Sequence, residues 1–286
     1  MAKIGRIQKQ ATKLKILLIG ASGSGKTYSA LQLAKGITCG DLSKSCFIDT
    51  EKGVNIYADA DEQKNPFLFQ LDRYSAQDYI TDIKDALTEK PEVLIIDSLT
   101  PAWSGRHGFL EINNELAVGR FKGNTFSAWG ETRKEMAELH SWIFTGSSHV
   151  ICTARSKTDY VVDYVGGKNT IKKVGTTIDY KDTLEYEFDV VFNVDSNHYA
   201  TASKDRTKLF NYDECFMINE DTGKKLLLHA TTGASNIKSE FLELISKAEN
   251  THLIKEDEAT NFRSKISSMD EEKMQKGISY LTSLFV

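Results

Sequence analysis

Residues Lys15–Gly20, KILLIG, run directly into GASGSGKT (Gly20–Thr27) and on into the helical pattern KTYSALQLAKG. No other stretch constrains the fold as much. The spacing is GxxxxGK[ST], a motif that has its chemistry only between a strand and a helix. Its glycines permit a loop whose N–H groups turn inward around a phosphate, and the helix N-terminus adds its dipole. Lys26 then reaches the β- and γ-phosphates of a nucleotide, and the Thr27 hydroxyl is placed to coordinate Mg2+. An incidental Gly/Ser-rich turn would leave the flanking strand and helix unexplained. The expected nucleotide-binding residues are Gly20, Ala21, Ser22, Gly23, Ser24, Gly25, Lys26, Thr27 and Tyr28.

Short β-rich runs alternate with helical patterns along the chain, which predicts an α/β fold with a mainly parallel sheet flanked by helices. The strands expected after KILLIG are SCFID (Ser45–Asp49), EVLIID (Glu92–Asp97), HVICTA (His149–Ala154), FDVVFNVD (Phe188–Asp195) and HYATASK (His198–Lys204). Apolar spacing predicts helices over Lys26–Gly36, Ala76–Lys90 and Trp129–Phe144. Two stretches break the alternation. Thr100–Ala128 reads as a polar loop, and Ser156–Thr183 holds two alternating arms around Gly-Gly-Lys-Asn, the pattern of a hairpin. Both follow strands of the presumed sheet, and in open α/β folds ligands collect at the carboxyl ends of strands. The expected division is a basic segment over 1–13, a nucleotide-binding core over 14–230 and a charged helical appendage over 231–286.

A phosphate site of this kind needs carboxylates. EVLIID ends in Asp97, placed to hold Mg2+ through water, with Asp195 at the end of FDVVFNVD as its rival. Hydrolysis further needs a group that orients water, and the position after Asp97 is Ser98, so the base comes from elsewhere. The strand end CFIDTEKG offers Asp49 and Glu51. Glu51 is longer and lies just past the strand; Asp49 is the expected supporting acid.

Composition narrows the classes. Net charge is −4 and pI about 5.9, so no overall basic field marks a nucleic-acid binder, although a local basic loop on an acidic protein still tracks phosphates. Cys39, Cys46, Cys152 and Cys215 form no CxxC pair, and the six histidines show no ligand spacing, which argues against zinc and for a reducing compartment. The basic start lacks the apolar stretch of a signal peptide, and no run approaches the ~20 apolar residues of a membrane span. The expected location is the cytoplasm, with no membrane partner.

The segments GASGSGKT, FIDTEKGVNIYAD, VLIIDSLTPAW, HVICTARSK and SKDRTKLF together resemble the RecA-like branch of P-loop ATPases. More narrowly, with NTFSAW, ARSKTDYVV and EYEFDVVFNVD, they resemble phage-encoded AAA-family or Sak-type recombination and single-strand annealing ATPases. The resemblance covers about Lys13 to Gly223. It implies a catalytic role for Glu51, and for Lys204 and Arg206 as basic residues that complete the ATP site of a neighbouring subunit. It also implies ATP and Mg2+ as cofactors, a ring or filament of identical chains, and single-stranded DNA as partner, with a single-strand-binding protein as a further one. Thr153–Arg155 falls where the family senses the γ-phosphate. DNA contacts are expected from Arg155, Lys157, Lys168, Lys172 and Lys173, with Tyr160 and Tyr164 as stacking surfaces. Arg106, His107, Arg120 and Lys122 form a second basic loop. A helicase or helicase-loading motor, and a nucleotide-gated scaffold without DNA binding, are the alternatives.

Overall fold

The computed structural model describes residues 10–165, 168–251, 253–266, 269 and 271–285. Among these residues eight strands are formed: β1 (Lys15–Gly20), β2 (Ser45–Asp49), β3 (Phe67–Gln70), β4 (Val93–Asp97), β5 (His149–Val165), β6 (Lys168–Ile178), β7 (Val190–Val194) and β8 (Ala200–Asp205). Their order is β3-β2-β4-β5-β1-β7-β8, with β6 paired to β5. Neighbours from β3 to β7 are parallel, and β8 turns back antiparallel on β7. The expected α/β fold with a mainly parallel sheet is therefore the observed one.

Residues of β1, β2 and β4 are buried at every position, which explains why they read as unbroken apolar runs: a parallel sheet is covered on both faces. One face carries Leu17, Ile19, Ile48 and Ile96 against Tyr79, Ile80 and Ile83 of α2 (Ala76–Thr88) and Met136, Leu139 and Ile143 of α5 (Thr125–Thr145). The helix α1 (Lys26–Ile37) packs on β1, β4 and β5.

Two expectations need correction. The stretch read as a polar loop contains α3 (Thr100–Ser104) and α4 (Phe109–Gly119), and α5 starts at Thr125 because the Asn124 side chain accepts from the Ser127 amide at 3.0 Å. Helix α4 was hidden because it buries only Phe109, Asn113 and Ala117, a thin stripe between glycines. The edge strand β3 was missed because its residues are largely exposed and carry no alternation.

Beyond Arg155, β5 pairs antiparallel with β6, Ser156 opposite Ile178 and Val165 opposite Lys168, with a register shift between Asp159 and Tyr160. At the carboxyl edge of the sheet, Gly20 lies opposite both Arg155 and Val194, and Asp49 opposite Asp97. That register brings the motif residues to one edge.

One compact unit spans Lys13–Leu227 and a second is built on Leu228–Val286. In the second, Phe241 and Ile245 of α6 (Glu220–Asn250) pack with Ile254, with Ala259 of α7 (Glu256–Lys265) and with Ile278 and Leu281 of α8 (Glu271–Ser283). Gly277 lets α8 approach closely, since a Cβ there would lie 2.5 Å from Phe241 Cζ. No helix among the described residues is long and apolar enough to cross a membrane.

Candidate nucleotide and catalytic site

The loop between β1 and α1 takes its shape from Gly23 and Gly25, at φ 79° and 87°, a left-handed region that favours glycine. Gly25 begins α1 without a side-chain cap, so the first helical N–H groups are left for a ligand. Lys26 Nζ donates to the Ala21 carbonyl at 2.8 Å and folds back over the loop. Burial lowers the Lys26 pKa, and the Asp97 and Glu51 charges act against that shift.

His198, in the turn between β7 and β8, places Nδ1 3.0 Å from the Ser24 carbonyl. A Cβ on Gly25 would come 2.9 Å from that nitrogen, so the imidazole supports the loop from beneath. Nothing in the sequence motif points to His198; the β7–β1 register brings it there. Tyr28 is half exposed and its ring lies 5.7 Å from that of Tyr57.

Asp97 connects three elements. Thr27 Oγ1 donates to one of its oxygens at 2.6 Å, and the Thr153 hydroxyl donates to the other. Burial raises the Asp97 pKa, hydrogen bonds from Thr153 and Thr27 oppose the rise, and the Glu51 and Asp49 charges reinforce it. A carboxylate in that position gains most from a cation. The peptide bond from Asp97 to Ser98 is cis.

Asp49 and Glu51 divide the labour differently. Asp49 is buried and accepts from the amides of Glu51 at 2.9 Å, Lys52 at 2.8 Å and Val54 at 3.3 Å, so it shapes the loop that carries Glu51. Glu51 Oε1 accepts from Ser98 Oγ at 3.1 Å and from Arg155 Nε at 3.0 Å. Burial pushes the Glu51 carboxyl up, but the Arg155 guanidinium, the Ser98 hydroxyl and the Lys26 charge together hold it below the usual range.

Lys26, Thr27, Asp97 and Glu51 thus meet at one edge of the sheet. The family described as "AAA domain" matches residues 12–225. The chain belongs to this family of P-loop ATPases. A comparison with curated protein sequences finds no match. Among solved structures, the AAA domain is similar to a KaiC-like protein from the hyperthermophilic archaeon Pyrococcus horikoshii. Identity is 14%, 73% of this chain and 87% of that one are covered, and the TM-score is 0.42. The family implies nucleotide binding, typically with Mg2+. The donor set fits: the Thr27 hydroxyl and the Asp97 carboxylate are hard oxygen ligands, and no His/Cys/Asp/Glu cluster among the described residues offers a dedicated metal cage.

Other expected residues lie elsewhere in the AAA domain. Asp195 accepts from the Asn197 and Tyr199 amides and shapes the turn that carries His198. Lys204 and Arg206 sit at the end of β8 and just beyond it, where Asp205 faces Val190. In one chain this is the opposite end of the sheet from the phosphate loop, because Val194, not Val190, faces Gly20. Lys204 Nζ donates to the Glu185 and Tyr186 carbonyls at 2.9 and 2.7 Å, and Arg206 pairs with Asp189 at 3.3 Å. Lys157 pairs with Asp179 at 3.7 Å. Lys168, Lys172 and Lys173 are on β6, with Lys173 opposite Tyr160 in register; their side chains lie outside the described residues, as do those of Tyr160 and Tyr164. Arg155, expected among the DNA contacts, holds Glu51 through its guanidinium while its side chain stays exposed.

Proposed function

We propose that this chain is a Mg2+-dependent ATPase that assembles with copies of itself and acts on single-stranded DNA in recombination or strand annealing. The observation that carries the ATPase reading is the 2.6 Å hydrogen bond from Thr27 of the phosphate loop to Asp97, at the sheet edge from which the loop bearing Glu51 leaves β2. Gly20–Thr27 hold the phosphates, Tyr28 and Tyr57 offer an aromatic surface beside them, and Glu51 orients the attacking water and takes its proton. Mg2+, held by Thr27 and Asp97, would neutralise charge developing on the β- and γ-phosphate oxygens.

Lys204 and Arg206 cannot reach the phosphate loop of their own chain from the far end of the sheet, which supports a role at a neighbour's site. Positive charge supplied that way makes hydrolysis depend on assembly and is worth ~10^3–10^5 in rate in related systems. The β5–β6 hairpin, leaving the sheet directly beside the site, supports the DNA reading: Lys157, Lys168, Lys172 and Lys173 all belong to it.

The deciding experiment is the ATPase rate of the full chain with and without oligo-deoxythymidine, with assembly followed by light scattering. Stimulation by DNA is expected. Glu51→Gln should retain ATP and lose turnover by ~10^2–10^4-fold, the size of a lost general base. Turnover that ignores DNA, on protein that does not bind it, would favour the nucleotide-gated scaffold; unchanged turnover in Glu51→Gln would remove Glu51 from the mechanism.

A further inference from the structure

His198 holds a backbone conformation that does not suit it. It lies in the exposed turn between β7 and β8 at φ 69°, the left-handed region that glycine and asparagine enter most easily. Asp195 closes that turn. Its side chain accepts from the Asn197 and Tyr199 amides, its carbonyl accepts from the His198 amide at 3.1 Å, and its own amide donates to the Tyr199 carbonyl at 2.9 Å. None of these bonds uses the imidazole. A non-glycine residue kept at such an angle points to a task for its side chain.

The side chain reaches out of the turn to the phosphate loop, where Nδ1 stands 3.0 Å from the Ser24 carbonyl oxygen. A carbonyl only accepts, so Nδ1 carries the proton of that bond. The bonded carbonyl belongs to the peptide unit that joins Ser24 to Gly25. That unit is planar and trans, so holding its carbonyl toward the β7–β8 turn sets the Gly25 N–H on the opposite side. Among the described residues this N–H meets no acceptor, and it belongs to the inward-turned amides that the motif offers a phosphate. The ring also lies against Gly25, where a Cβ would come 2.9 Å from Nδ1. On its other side Gly25 is held by α1, its carbonyl accepting from the Ser29 amide at 2.9 Å.

We infer that His198 is a positioning residue for the phosphate loop: it turns the Ser24–Gly25 peptide so that the Gly25 N–H faces the phosphates. The inference rests on the reading of Gly20–Thr27 as the phosphate site and adds a part of that site lying outside the motif. An orientation that serves the nucleotide equally before and during reaction acts on affinity and not on the chemical step. Removing the donor should therefore weaken ADP and ATP binding by about two- to ten-fold, the range of one neutral hydrogen bond, and raise KM with kcat unchanged.

The test uses the full chain with His198→Asn, His198→Gly and His198→Leu, titrated with a fluorescent ADP and assayed for turnover. Asparagine suits the left-handed angle and carries an amide donor, so His198→Asn should keep most of the affinity. Glycine suits the angle better still but has no donor. His198→Gly should hold the melting temperature of the nucleotide-free chain and yet lose affinity. His198→Leu fills the space of the ring without a donor and should lose affinity too. Wild-type affinity in both His198→Gly and His198→Leu would overturn the inference. An equal loss in His198→Asn and His198→Leu would overturn it as well, and so would a loss in His198→Gly accompanied by a lower melting temperature, because the ring would then serve the fold alone. The failure of the ATPase reading looks different: unchanged turnover in Glu51→Gln removes that base and leaves these ADP affinities as they are.

Discussion

The Thr27 hydroxyl donates to the Asp97 carboxylate at 2.6 Å, joining the phosphate loop to a strand that is separated from β1 by β5. In the absence of a cation the Asp97 charge is costly, being buried and close to the charges of Glu51 and Asp49. Asp97→Asn should therefore leave the nucleotide-free chain within about 1 kcal/mol of wild type, since the hydroxyls of Thr27 and Thr153 can reorient to a neutral amide. The same substitution should abolish the extra thermal stabilisation that Mg2+ adds to ATP. Melting curves with ATP alone and with ATP plus Mg2+ check both halves; a Mg2+ effect that survives Asp97→Asn removes Asp97 from the metal site.

Asp49 tests the division of labour between the acid that ends β2 and Glu51 just past it. Its side chain accepts from three amides of the loop that follows, those of Glu51, Lys52 and Val54. Asp49→Ala strips these partners and should cost about 1–3 kcal/mol in a urea titration, with turnover falling because Glu51 is misplaced. Asp49→Asn keeps one acceptor oxygen and should recover part of both losses. If Asp49→Ala left stability untouched while abolishing hydrolysis, Asp49 rather than Glu51 would be the reacting acid.

His149 makes the chain acid-sensitive in a defined window. It is buried at the start of β5, its Nδ1 accepts from the Leu14 amide at 3.2 Å, and burial, with Lys13 and Lys15 adding, lowers its pKa to about 3. The unfolded chain, with a histidine near pH 6.5, binds more protons than the folded one between these values. Stability is thus lost as pH falls below about 6.5, by up to about 1.4 kcal/mol per pH unit. His140, lowered to about 4 by burial and Lys181, adds in the same direction. Between pH 6.5 and 5, before most carboxylates titrate, His149→Asn should flatten the decline in urea midpoint; an unchanged slope would show that His149 is protonated in the folded chain.

Gly277→Ala sets two effects against each other in the C-terminal unit. Alanine is the better helix former by about 1 kcal/mol. The added Cβ would meet the Phe241 ring at 2.5 and 2.7 Å, and that ring is fully buried. Overpacking of this kind costs about 1–3 kcal/mol, so net destabilisation is expected in urea unfolding followed by helical circular dichroism. A gain in stability would mean that α8 and α6 separate at little cost.

Much of this was legible because it is local. A strand, a glycine loop and a helix in immediate succession announce themselves, and EVLIID and SCFID end in carboxylates that a parallel sheet brings to the same edge. What escaped depends on register. Arg155 follows an apolar strand and sits two residues before a lysine, which reads as the base of a basic loop; its contact with Glu51 depends on its position opposite Gly20. His198 reaches the phosphate loop for the same reason, through β7. In Thr100–Ala128 the glycines and charges outweighed the thin buried stripe of α4.

The length of β5 has a mechanical consequence. Of its 17 residues, those after Arg155 are paired only to β6, so Ser156–Val165 form an arm of roughly 33 Å at ~3.3 Å per residue. A two-stranded arm of that length, its register shifted once between Asp159 and Tyr160, converts angle into distance: a tilt of about 10° at its root carries the far end through about 6 Å. The gearing also runs backwards. A force applied at the far end would arrive at Arg155 as torque, and the Arg155 side chain rests on Glu51.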